Sequence, residues 1–241
     1  MGQLERNLYI AEATVKYVES RMTHGASNKP DDVLHSKMKA DALARTEHEE
    51  AMKNANVFSK GILWMQGPQP KEPGLTTQSA KAQRNAMVID RSLPIIEQLL
   101  AEAAVIEGTG IGNCGEQATV GFGYLYARRD MPKFALALFG TNHEFLVLGV
   151  PRMQLIGTFP LGVAPLWPDE AVICDPWYHE WFGVAEGWTR RGRSILARTE
   201  GQAPANVKIG VVASVEPQRQ ENPLYRKEPK NWQYNPLYKG R

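Results

Sequence analysis

Residues 110–129 read GIGNCGEQATVGFGYLYARR. Gly110, Gly112 and Asn113 are turn residues, and they give way at Cys114 to a proline-free run that reads as a helix. Cys114 therefore stands at or just before a helix N-terminus. Unsatisfied backbone N–H groups and the helix dipole favour negative charge there, as a thiolate or as the oxyanion of a tetrahedral intermediate. Glycine on either side lets a substrate carbonyl approach the backbone. The same segment also fits a small buried cysteine at a tight bend, and taken alone it does not choose between the two.

The stretch also divides the chain by character. Upstream, Leu4, Leu8, Ala11, Val15, Val18 and Met22 recur at intervals of 4, 3, 4, 3 and 4, one apolar stripe of a helix over about 3–23. Pro30, Asp31 and Asp32 predict a second, more polar helix to about 56. Gly and Pro make 61–77 a loop; Thr77 or Ser79 then caps a helix to about 91, and Ser92 with Pro94 restarts one that runs to Gly108. Downstream come short apolar runs at 133–140, 144–150, 154–159, 170–175 and 206–215, punctuated by Gly and Pro, which read as strands. Strands in succession without intervening helices predict an antiparallel sheet and an α+β class. The expected organisation is a helical extension over 1–75, a catalytic domain over 76–215 and a polar basic tail over 216–241. That tail repeats itself, NPLYRK at 222–227 and NPLYKG at 235–240, as a doubled turn unit.

Composition excludes several classes. The chain has 241 residues, 43% of them hydrophobic, within the range of a globular protein. The net charge of +2 points to no nucleic-acid partner, although residues 186–241 carry 11 basic against 5 acidic groups, while 111–185 carry 4 against 7. No run approaches a membrane span. Charges interrupt the N-terminal apolar residues, so no signal peptide is expected. Two cysteines make no disulfide framework, which predicts a chain made and kept in a reducing cytosol. A protein exported into a target cell by a specialised secretion system carries the same features.

A thiol nucleophile needs a base and a group that orients it. Of five histidines, His24, His35 and His48 fall in the polar N-terminal region. His143 opens an apolar strand in NHEFLVLG, where a polar ring is expensive to bury without a partner. Asp175 ends another strand in VICDPW and is followed by Pro176, so its carboxylate can take the Nδ1–H of His143 and fix the tautomer. The order is Cys, His, Asp, with separations of 29 and 32 residues. Cys174 points to the opposite side of its strand and reads as core. His179 is a rival base within WYHEWF, whose aromatics wall a groove or pack a core. No cysteine–histidine pair has the close spacing of zinc ligands, so no metal and no cofactor is expected.

GNCGE at a helix start, HEFLVLG on one strand and VICDPW on the next resemble the transglutaminase-like branch of the papain-like fold, and within it bacterial effector and toxin members that deamidate glutamine or cleave peptides. The resemblance covers about residues 108–176. It implies Cys114 as nucleophile, His143 as general base and acid, and Asp175 as orienting carboxylate. It also implies a helix bearing the nucleophile packed on an antiparallel sheet. The glutamine that many papain-like proteases place six residues before the cysteine is Gly108 here, so Asn113, Gly115 or backbone N–H groups are the candidate oxyanion donors, with Trp177 as a substrate contact. The expected activity is a cysteine-dependent amide hydrolase or acyl transferase on protein substrates, first a glutamine deamidase, then a cysteine protease or transglutaminase. The N-terminal helices are either scaffold or the docking place of a chaperone, delivery machine or immunity protein. The opposing reading is a non-enzymatic interaction protein with a structural Cys114.

Overall fold

The computed structural model describes residues 2–26, 89–128, 131–140, 143–189 and 206–216. The chain divides into two compact units. The larger holds α1 (Gln3–Arg21), most of α2 (Ile95–Thr109), α3 (Cys114–Tyr126), β1 (Phe134–Phe139), β2 (His143–Leu148), α4 (Arg152–Leu155), β3 (Gly157–Pro160), β4 (Val172–Asp175), β5 (Glu180–Gly183), α5 (Val184–Gly187) and β6 (Asn206–Val215). In the smaller, the described residues 22–26 and 109–113 are joined by a parallel bridge between Gly25 and Ile111 and by a His24 N–H donating to the Gly110 carbonyl at 2.8 Å.

The six strands form one sheet in the order β3-β6-β1-β2-β4-β5, and every pair is antiparallel, as the succession of short apolar runs leads one to expect. Both faces of the central strands are covered, which is why FALALF and FLVL are apolar throughout rather than alternating. On one face Leu136, Leu146, Leu148, Val172 and Cys174 pack with Ile10, Ala11 and Val15 of α1 and Ala118, Phe122 and Leu125 of α3. On the other, Ala137, Phe139, Phe145, Val147 and Ile173 pack with Leu155, Leu161, Trp167 and Trp188.

Helix α1 is part of this core. The sequence reading places it in an extension, but its stripe lies on β4, β5 and α3. Its two buried polar residues are satisfied: Asn7 donates to the Glu170 carbonyl at 2.8 Å, and the Thr14 hydroxyl donates to the Ile10 carbonyl at 2.8 Å. Gly149 ends β2 at φ +84, and a Cβ there would stand 2.8 Å from the Glu170 carbonyl oxygen and 2.9 Å from Asn7 Nδ2, so only glycine suits this corner. Gly121 sets how closely α3 approaches the sheet, since a Cβ would lie 2.7 Å from Leu146 Cδ1 and 3.1 Å from Thr14 Cγ2. Gly121→Val should therefore lower stability by about 1–3 kcal/mol through overpacking, measured by denaturant unfolding.

Two local readings change. Residues 154–159 are not one strand: Pro151 starts the helical turn α4, Leu155 is buried, and the edge strand β3 begins only at Gly157. β5 falls in the aromatic stretch after Asp175, whose mixture of charged and aromatic residues hides a four-residue strand. The helix expected over 30–56, the loop 61–77 and the NPLY tail lie outside the described residues; of the helix expected from Thr77 or Ser79 to about 91 only 89–91 are described, and they are not helical. Among the described residues no helix is long and apolar enough to cross a membrane.

Candidate active site

Cys114 is the first residue of α3, and its side chain is half-buried. His143 opens β2 and Asp175 closes β4, and both side chains are fully buried, at 0% exposure. The register that sets Leu146 opposite Cys174 puts Asp175 diagonally across from His143 on the same face. His143 Nε2 and Asp175 Oδ2 are 2.6 Å apart. The other carboxylate oxygen, Oδ1, accepts the Tyr178 backbone N–H at 3.2 Å, so the hairpin turn after Pro176 holds the carboxylate in place. Trp177 and Tyr178 from that turn, with Phe145, surround the imidazole at ring-centroid distances of 5.8, 5.4 and 6.1 Å.

One feature reverses the sequence expectation. The carboxylate meets Nε2 rather than Nδ1. Nδ1 is buried and makes no hydrogen bond of standard geometry among the described residues, while Cys114 still acts on the ring as a hydrogen-bonding and electrostatic neighbour. Catalytic hydrogen bonds are commonly long before substrate binds.

Burial pulls the His143 pKa down, but the Asp175 hydrogen bond, the Cys114 interaction and their charges outweigh it, and the ring is raised from 6.5 to about 9. The ring thus carries a proton at neutral pH. Because the folded value lies above the unfolded one, the stability this pairing contributes is fully present below 6.5 and lost as pH rises through about 9. The melting temperature should fall across that window, and Asp175→Asn should flatten the fall.

The remaining candidates separate. Cys174 points to the face of α1, where its thiol donates to the Ala11 carbonyl at 3.5 Å, and burial, then the Asp175 charge, push its pKa well up. His179 sits in the β4–β5 turn at φ +57, 53% exposed, and pairs with Glu19 of α1 rather than with Asp175. Cys174 and His143 project to opposite faces of the sheet, so these two do not converge with Cys114 and His179 on a metal. Asn113 belongs to the smaller unit. Gly115 lies in the first turn of α3, and Trp177 lies against His143.

Two residues gain importance only in three dimensions. Tyr178 both covers the ring and positions Asp175. Glu144 follows His143 on β2, and alternation sends it to the α3 face, where its carboxylate rests on Gly115. Period-two patterning signals the side Glu144 takes, but not what it meets. No protein-family model matches the chain, and no curated protein does either.

Proposed function

We propose that this chain is a cysteine-dependent amide hydrolase of the papain-like, transglutaminase-like type, acting first as a deamidase of glutamine side chains in protein substrates. The observation that carries the reading is the buried His143–Asp175 pair with Cys114, the first residue of a helix, as a further neighbour acting on the same ring. A buried, oriented imidazole next to a thiol at a helix N-terminus has little structural purpose and a clear chemical one.

In this mechanism the proton of Cys114 rests on His143, and the imidazolium stabilises the thiolate. The sulfur attacks the carboxamide carbon, forming a C–S bond and a tetrahedral oxyanion. Backbone N–H groups of the first turn of α3, with Gly115 among them, are the candidate donors to that oxygen. The C–N bond breaks as Nδ1–H protonates the leaving ammonia. The now neutral ring takes a proton from water, whose oxygen attacks the thioester. The thiolate departs, a carboxylic acid is released, and the thiolate–imidazolium pair is restored. Asp175 keeps the imidazole oriented throughout, and Trp177 and Tyr178 keep water from competing for its hydrogen bond.

Intact-mass comparison of candidate substrate proteins treated with wild type and with Cys114→Ser tests the activity. The expected result is the small mass gain of an amide becoming an acid, with wild type only. Fragments would make the enzyme a protease, and covalent adducts a transglutaminase. No change with any protein or amine donor would leave the interaction-protein reading in its place.

A further inference from the structure

Glu144 is a charged residue that the mechanism above does not use. A Cβ built on Gly115 would stand 3.3 Å from Glu144 Oε2 and 3.6 Å from Oε1, so the carboxylate lies flat against the residue that follows Cys114. Its side chain is half-buried, and burial pushes its pKa up. Glu116 of α3 and Glu102 of α2 push it the same way, and His143 pulls it down. Glu116, Glu102 and His143 are thus within electrostatic reach of Glu144, and the Glu144 carboxylate rests on the residue next to Cys114. We propose that Glu144 sets the charge preference of the Cys114 site: its carboxylate on Gly115 turns away anionic acyl donors and drives off a carboxylate product.

The inference rests on the reading of Cys114 as nucleophile and supplies the substrate class for it. Accepted glutamines sit in neutral or basic surroundings. The product carboxylate, formed beside a like charge, leaves rather than occupying the site. Like charges a few ångströms apart at a protein surface repel one another, and salt screens that repulsion, so the site can separate two ligands that differ only in charge.

The test uses the full chain and two alkylating agents of nearly equal size, neutral iodoacetamide and anionic iodoacetate, at mildly alkaline pH. The rate ratio at Cys114 is normalised to that of a free-thiol peptide. Wild type should favour iodoacetamide more than the peptide does, and the preference should shrink as salt is raised, an arm that needs no variant. Glu144→Gln keeps the shape and removes the charge, so the relative iodoacetate rate should rise roughly threefold or more. Glu144→Asp keeps the charge and should retain the wild-type preference. Selective iodoacetamide labelling of Cys114 with a ratio that neither salt nor Glu144→Gln moves would overturn the role of Glu144 and leave the nucleophile standing. A Cys114 as inert as Cys174 toward both reagents would overturn the nucleophile, and this inference with it.

Discussion

Asp175→Ala should lower stability by roughly 3–5 kcal/mol and slow Cys114-dependent catalysis by a factor of about a hundred or more. The first effect follows from burial. Asp175 and His143 are both shut off from solvent, and removing the carboxylate leaves the buried ring without its hydrogen-bond acceptor and withdraws what holds its proton. The Tyr178 N–H loses its acceptor as well, so the turn carrying Trp177 loosens at the same time. The second effect follows from orientation, because a ring without its carboxylate is no longer fixed in the pose the proposed mechanism uses. Asp175→Asn separates the two: it retains an acceptor for Tyr178 and loses the charge, so more stability than activity should survive. Chemical denaturation and turnover measured on the same preparations check both expectations.

Cys114→Ser should abolish turnover, by a factor of roughly a thousand or more, while changing stability by less than about 1 kcal/mol. A hydroxyl fills the half-buried space of the thiol, but an imidazolium does not ionise it. His143→Ala should come close to the same loss of rate. The double variant should be little worse than either single one, because residues that act as a unit are not additive. Two independent losses that multiplied would mean that Cys114 and His143 do not share a step.

Much of the fold was legible because its signals are local. The 4-3-4-3-4 stripe marks α1, the Gly-Asn turn before Cys114 marks the start of α3, and apolar runs bounded by Gly or Pro mark the central strands. β5 was not legible, because Glu180 and Trp181 only half-bury their side chains at the sheet edge and leave no pattern to read. The run at 154–159 was ambiguous because Leu155 serves the core equally well from a helical turn. For the candidate site, the placement of its residues was legible: each of Cys114, His143 and Asp175 stands at the end of an element. Which ring nitrogen meets the carboxylate was not, since the side-chain torsions of His143 decide it. The contact between Glu144 and Gly115 was hidden for a related reason, as it joins β2 to a helix that precedes it by a whole strand.

The most direct measurement is the rate of iodoacetamide labelling at each cysteine near neutral pH, read by mass spectrometry in wild type and His143→Ala. Cys114 should react far faster than Cys174, whose thiol is buried and committed to the Ala11 carbonyl, and His143→Ala should remove most of that advantage. Equal, slow labelling of both cysteines, unchanged by His143→Ala, would contradict a catalytic Cys114.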